Sequence, residues 1–261
     1  MSPEWRRLDS AAKDSGKKEF AAVIGEHTDR MMIRTYSLTA TRGDADFMLW
    51  TVANSLNDFQ SLYTGLANTG MGRYAAIPYS YFAMTRRSIY IDKHSHEGQE
   101  GARLKIRPGD GKYLFVYPFV KSREWYALPI ADRQRMMDEH IAVGHKYSGI
   151  RINTSYSFGL DDQEFVVAFE GDSPSEFLDL VMELRDSQAS RYTIRDTPSF
   201  TAAAMPLEQL LAALEEARHA KERDLLLEDD LNDVPQCEGV AFAKGRQVCR
   251  ARISQAATHP R

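Results

Sequence analysis

The sequence has few of the features that mark secreted, membrane-spanning or nucleic-acid-binding proteins. Only two cysteines occur in 261 residues, Cys237 and Cys249, so disulfides cannot hold the fold together and a reducing cytoplasm is expected. No run of about 18 apolar residues is present, which predicts no membrane span, and the first residues do not resemble a secretory signal. The formal net charge is −4, so the chain lacks the basic excess typical of a nucleic-acid-binding protein.

Several catalytic signatures are absent as well. The sequence contains no Walker loop, no dinucleotide-binding glycine motif, no serine-hydrolase elbow and no H-E-x-x-H motif. Its composition, 43% hydrophobic and 27% charged residues, is that of an ordinary globular protein. The length is sufficient for one large or two small domains with a sizeable core.

The second half of the chain shows the clearest alternation of strands and helices. Apolar patterns predict strands over 112–120, 150–158, 164–170 and 191–201, with helices over 129–147 and from 174. The second helix begins at a capping box, Ser173 to Glu176, with Pro174 at its first position. The resulting order, β-α-β-β-α-β, is that of a ferredoxin-like unit.

The first half repeats this order without its first strand. Helices are predicted over 3–28 and 55–70, and strands over 31–40, 45–53 and 74–85. We therefore expect an α+β fold in which two tandem ferredoxin-like units pack their sheets into one barrel-like core, the first unit missing its first strand. The predicted divisions are an N-terminal unit at 1–105, a C-terminal unit at 106–205, and a helix with a loosely ordered tail at 206–261.

One histidine lies in an apolar stripe of the helix predicted over 129–147. Helical spacing places it on one side with four other residues: Met136, Met137, His140, Gly144 and Tyr147. Two interpretations stay open. His140 is either a core histidine whose ring bonds a carbonyl group, or the axial ligand of a haem iron, which needs one imidazole in an apolar cavity.

The strand over 112–120 has an aromatic face that continues to a lysine. Period-two alternation places Tyr117 and Lys121 on the same face. A phenol and an ammonium group on one cavity-facing strand suit an anionic aromatic ligand, since the lysine binds a carboxylate and the phenol offers a proton or an electron. The alternative is a plain aromatic core face with a lysine that reaches into solvent.

Several motifs resemble the chlorite dismutase and coproheme decarboxylase superfamily. They are the run from Tyr117 to Pro129, Glu139-His140, Asn153-Thr154, the turn Gly159 to Asp162, and Glu183-Leu184-Arg185. The resemblance covers about residues 3–204. It implies a pair of ferredoxin-like units forming a barrel, in agreement with the predicted strand order, and homo-oligomers that are commonly pentameric rings.

The resemblance also implies roles for individual residues. His140 matches the proximal iron ligand, Tyr117 the tyrosine whose radical abstracts hydrogen from a propionate, and Lys121 the lysine beside that propionate. Asn153 stands thirteen residues after His140, where chlorite-degrading members carry a distal arginine. Further positions that match propionate-binding residues are Arg103, Arg185 and Ser190.

The implied function is a haem-dependent oxidoreductase. The main prediction is a peroxide-dependent coproheme decarboxylase of haem b biosynthesis, with haem b or iron coproporphyrin III held through His140. Alternatives on the same pocket are a chlorite dismutase, which converts chlorite to chloride and dioxygen, and a haem peroxidase. A non-catalytic haem-binding protein is the alternative from another class.

Overall fold

The computed structural model describes residues 1–90, 106 and 108–214, together with the backbone of two short strands near the C-terminus. Residues Met1–His219 form one compact unit and Ala220–Arg261 form another. Within the described residues, none of the helices has the length and apolar character needed to cross a membrane.

The N-terminal half contains three helices and two strands. The single helix predicted over 3–28 is two helices, α1 (Pro3–Arg7) and α2 (Ser10–Gly25). The chain breaks between them because Asp9 is extended and caps α2, its carboxylate accepting from the Ala12 N–H at 2.8 Å. The strands β1 (Met31–Ser37) and β2 (Phe47–Ala53) pair antiparallel, and α3 (Leu56–Asn68) follows.

The C-terminal half has the predicted β-α-β-β-α-β order. It runs through β3 (Tyr113–Lys121), the short α4 (Arg123–Ala127), α5 (Ile130–His145), β4 (Arg151–Tyr156), β5 (Phe165–Gly171) and α6 (Pro174–Asp186). A 3-10 helix (Gln188–Tyr192) then leads into β6 (Thr193–Arg195) and β7 (Phe200–Ala204). Ser173 caps α6 as predicted, accepting from the Glu176 N–H at 3.3 Å.

All these strands belong to one curled antiparallel sheet. The strand order is β2-β1-β7-β3-β5-β4, with β6 paired to the end of β3. The two halves join where β1 pairs with β7, at Tyr36↔Ala204 and Ser37↔Ala203. The predicted α+β fold built from ferredoxin-like units is therefore confirmed.

The sheet separates two kinds of core. On its inner face, Leu114, Val116, Ala168 and Phe200 pack with Tyr36. On its outer face, the helices cover Phe115, Val167 and Phe169, with Leu180 of α6 fully buried against them. Strand alternation therefore decides whether a side chain points into the barrel or towards α5 and α6.

One predicted strand is absent and another is interrupted. Residues 74–85 form no strand: after a 3-10 turn (Gly72–Tyr74), the one ladder contact within the described part of this segment is an isolated bridge from Met84 to Tyr156. Pro78 has no N–H to give to a ladder. The strand predicted over 191–201 is divided into β6 and β7, because residues 196–199 contain Pro198 and leave the ladder.

The C-terminal predictions fall mostly outside the described residues. Residues 207–214 are helical, in agreement with the start of the helix predicted from 206. In the unit Ala220–Arg261, β8 (Ala241–Phe242) and β9 (Arg246–Gln247) pair antiparallel. The predicted boundary near residue 105 stays a prediction.

Candidate functional site

Tyr117 lies at the middle of β3, on the face that the helices cover. Its ring centroid is 5.8 Å from that of Phe169 and 6.5 Å from that of Phe119. Burial raises the pKa of the Tyr117 phenol, with a smaller contribution from the charge of Asp196. The phenol therefore keeps its proton at physiological pH, which is the state able to give up a hydrogen atom.

Lys121 is the last residue of β3, and its side chain packs against the rings of Phe119 and Trp125. The side chain is 8% exposed, and Nζ donates to the Ala189 carbonyl at 2.5 Å. Nζ also lies 4.8 Å from the centroid of the Trp125 ring. Burial lowers the pKa of the Lys121 ammonium to about 8, against the opposing charge of Glu164. This arrangement differs from the alternative of a lysine reaching into solvent.

His140 lies on α5 between Met137, which packs against the cluster around Trp125, and Val143, which packs against the cluster around Phe115. Burial lowers the pKa of the His140 imidazole to about 4, and the charge of Lys121 acts in the same direction. The ring is therefore neutral at pH 7, which is the protonation state in which imidazole coordinates a metal. His27 shows what a structural histidine looks like in this fold: its Nδ1 is 2.8 Å from the Val23 carbonyl and its Nε2 is 3.1 Å from Ser61 Oγ.

A glycine next to His140 leaves room for a flat ligand. Gly144 follows His140 by one helical turn, so the two share a face of α5. A Cβ atom added at Gly144 would meet only Ile152 Cδ1, at 3.9 Å. Ile152 is 48% exposed although it is a large apolar side chain on β4. Gly144 and Ile152 therefore border open space on the helical side of the sheet, one helical turn from His140.

Arg185 and Ser190 lie close to the same end of β3. Arg185 is in the last turn of α6 and forms an ion pair with Asp196. Asp196 begins the connection between β6 and β7, and because both strands pair with β3 the ion pair lies along the part of β3 that carries Tyr117. Ser190 belongs to the 3-10 helix (Gln188–Tyr192) whose Ala189 carbonyl accepts from Lys121. The structure thus brings Tyr117, Lys121, Arg185 and Ser190 together.

Asn153 is not brought together with these residues. It pairs with Ala168 of β5, a residue of the inner core, so its side chain points into the barrel. Asn153 Nδ2 donates to Glu170 Oε2 at 3.0 Å. Ile152 pairs with Phe169 and therefore takes the helical face that Tyr117 shares.

Sequence reasoning missed three residues of this region. Besides Ile152, they are Asp196 and Glu164, whose Oε2 accepts from the Tyr126 hydroxyl at 2.6 Å and from the Lys121 N–H at 2.8 Å. Strand parity, counted from the hairpin turn rather than from His140, is the signal that identifies Ile152. Asp196 and Glu164 make their contacts with residues more than ten positions away in the sequence, so no local pattern identifies them.

Part of the predicted site lies outside the described residues. Arg103 belongs to this part. Among the residues that are described, no three His, Cys, Asp or Glu side chains group in a way that would hold a bare metal ion. The predicted iron ligand, His140, lies within the described part.

Comparison with known proteins gives consistent results. The family model described as chlorite dismutase matches residues 13–205. A coproheme decarboxylase from Mycolicibacterium smegmatis is 36% identical over 199 residues, which are 75% of this chain and 84% of that protein.

Solved structures show the same fold at lower identity. A variant chlorite dismutase from Candidatus Nitrospira defluvii matches with a TM-score of 0.76 and 22% identity, covering 82% of this chain and 92% of that one. The imidazole complex of chlorite dismutase from the same organism matches with a TM-score of 0.73 and 23% identity, covering 82% and 91%.

Proposed function

The chain belongs to the chlorite dismutase family, and from this premise we propose that it is a haem-dependent oxidoreductase, a peroxide-dependent coproheme decarboxylase. The observation that carries the proposal is the C-terminal half of β3, where a half-buried tyrosine and a buried lysine lie four residues apart, beside a helix that offers a neutral imidazole. The relative from Mycolicibacterium smegmatis bears the same activity in its name.

The residues present fit an iron porphyrin that carries carboxylates. The neutral His140 imidazole supplies the single iron ligand, and the open space beside Gly144 suits a flat ring. Lys121, Arg185, Ser190 and Arg103 are proposed to hold propionate groups. Ile152 is proposed to supply an apolar contact from β4, since the neighbouring Asn153 points into the barrel.

The residues of this chain have separate tasks in the reaction. When bound, the iron porphyrin supplies the oxidising capacity of hydrogen peroxide. Tyr117 then loses one electron and its proton, and the resulting phenoxyl radical takes a hydrogen atom from the β-carbon of a propionate. Each propionate that becomes a vinyl group releases carbon dioxide, one proton and two electrons. These two electrons, with that proton and one more from solvent, reduce one hydrogen peroxide to two water molecules.

Lys121 is proposed to orient the reacting propionate. Its amine is buried, and one of its N–H groups is bonded to the Ala189 carbonyl. This bond holds the amine in place, and the remaining N–H groups are available to a carboxylate. A charge-assisted bond to the carboxylate places the β-carbon next to the phenol. Both groups belong to β3, Tyr117 at its middle and Lys121 at its last position, just after an irregularity in the ladder between Val120 and Lys121.

The test is conversion of iron coproporphyrin III to haem b on addition of hydrogen peroxide. We expect Tyr117→Phe to bind iron coproporphyrin with parent affinity but to form no haem b. Tyr113→Phe is the matched control, since Tyr113 lies on the same face of β3 four residues earlier and should turn over normally. Haem b formation by Tyr117→Phe at the parent rate would refute the proposed role.

Assembly and location are proposals as well. We propose a homo-oligomer, with a pentamer favoured, and a cytoplasmic location. Large apolar side chains exposed near the β4–β5 hairpin support self-association: Met84 at 59%, Phe158 at 47% and Leu160 at 47%. The mass of the particle in solution tests this part.

A further inference from the structure

The break between β6 and β7 places a carboxylate beside Tyr117. β6 pairs with the end of β3 at Val120↔Arg195, and β7 pairs with β3 at Val116↔Phe200. The connecting residues 196–199 therefore run along the part of β3 that carries Tyr117. Asp196 is the first of these residues.

Asp196 already holds the cation that the proposed function assigns to a propionate. Arg185 Nη2 binds Asp196 Oδ2, and the arginine side chain is 55% exposed whereas that of Asp196 is 20% exposed. The guanidinium is therefore the accessible member of the pair, and the carboxylate is fixed at the sheet. A carboxylate arriving from solution meets a guanidinium of which one nitrogen is already bound to Asp196, so the two carboxylates compete for one positive charge.

We propose that Asp196 is a positioning residue that competes with a porphyrin carboxylate for Arg185. The inference rests on the proposed function and adds a selectivity element to it. A porphyrin with a carboxylate at this corner exchanges one ion pair for another and places a second negative charge beside Asp196. A porphyrin with an uncharged group there leaves the Arg185–Asp196 pair intact.

Competition and a purely structural role predict opposite effects on ligand binding when the Asp196 carboxylate is removed. If Asp196 only stabilised the local fold, its removal would weaken ligand binding. If Asp196 competes, Asp196→Asn strengthens the binding of a four-carboxylate porphyrin, because Arg185 becomes available and a like charge disappears. Asp196→Glu keeps the charge and should restore parent behaviour.

The experiment is a fluorescence titration with metal-free coproporphyrin III, which needs neither the bond from His140 to iron nor turnover. We expect Asp196→Asn to bind roughly twofold to fivefold more tightly than the parent, the range for an exposed ion pair. Raising the salt concentration should shrink this difference. Protoporphyrin IX, with two carboxylates, should gain less.

Two further variants complete the test. Asp29→Asn removes an exposed acid from the turn between α2 and β1 and should keep parent affinity. Adding Arg185→Gln should abolish the gain seen with Asp196→Asn. Equal or weaker binding by a folded Asp196→Asn variant, or an equal gain without Arg185, overturns the inference and leaves the proposed function standing. Failure of the parent itself to bind coproporphyrin III overturns both.

Discussion

Asn153→Ala distinguishes a residue that supports the barrel from one that faces the porphyrin. Asn153 donates at 3.0 Å to Glu170 Oε2, and Glu170 is 3% exposed. Two other groups also serve this carboxylate: the Gly109 N–H at 2.9 Å and Arg34 Nη1 at 3.6 Å from Oε1. The alanine variant therefore leaves a buried charge with one donor fewer.

The size of the effect follows from this count. A hydrogen bond to a charged group contributes about 1.5–3 kcal/mol to folding stability. Because Gly109 and Arg34 remain, we expect about 1.5–2 kcal/mol, at the low end of that range. For a domain of this size the loss corresponds to a fall in melting temperature of roughly 3–8 °C.

The assay compares the stability and the turnover of the same preparation. Thermal unfolding of the porphyrin-free protein should show the fall, and haem b formation at 25 °C should match the parent. In a Glu170→Gln background, Asn153→Ala should cost less, since the double-mutant cycle isolates this hydrogen bond. A slow variant with unchanged melting temperature would place Asn153 at the porphyrin and refute the strand parity described above.

Two other predictions follow from single positions. Gly144→Leu should leave the porphyrin-free protein at least as stable, because glycine disfavours a helix interior, yet lower the affinity for coproporphyrin III in a titration. Although burial acts to raise it, the pKa of the Asp161 carboxyl is lowered by N–H donors from Phe82 and Gln163. Its stabilisation is therefore present above the unfolded pKa of 3.8 and is lost below it. In urea unfolding, the advantage over Asp161→Asn should shrink as the pH falls from 6 to 3; an advantage that grows would contradict the assigned bonds.

Periodicity within one element predicted much of the site. Alternation along β3 predicted Tyr117 and Lys121 on one face, and the helical repeat predicted His140 and Gly144 on one side of α5. The structure packs Tyr117 under the helices and buries Lys121 at the end of the strand, after an irregularity in the ladder. The count from His140 to Asn153 crosses the irregular segment between α5 and β4, and the structure turns Asn153 into the barrel and Ile152 towards the helices. One residue more or less in that segment reverses which face every side chain of β4 takes.

Contacts between distant segments could not be predicted. Asp196 meets Arg185 because Pro198 interrupts what the sequence presents as one continuous strand. Lys121 is buried rather than solvated because the 3-10 helix that follows α6 offers the Ala189 carbonyl. Both depend on where α6 ends relative to β3, which no local pattern encodes.

The pairing of β1 with β7 has a consequence for biosynthesis. Tyr36 pairs with Ala204, so the first hairpin leaves the ribosome with one side unprotected long before its neighbour β7 is made. Contacts of such long sequence separation slow folding, and an open strand invites pairing with another nascent chain. Expression at low temperature or with a chaperone should therefore raise the yield of folded protein.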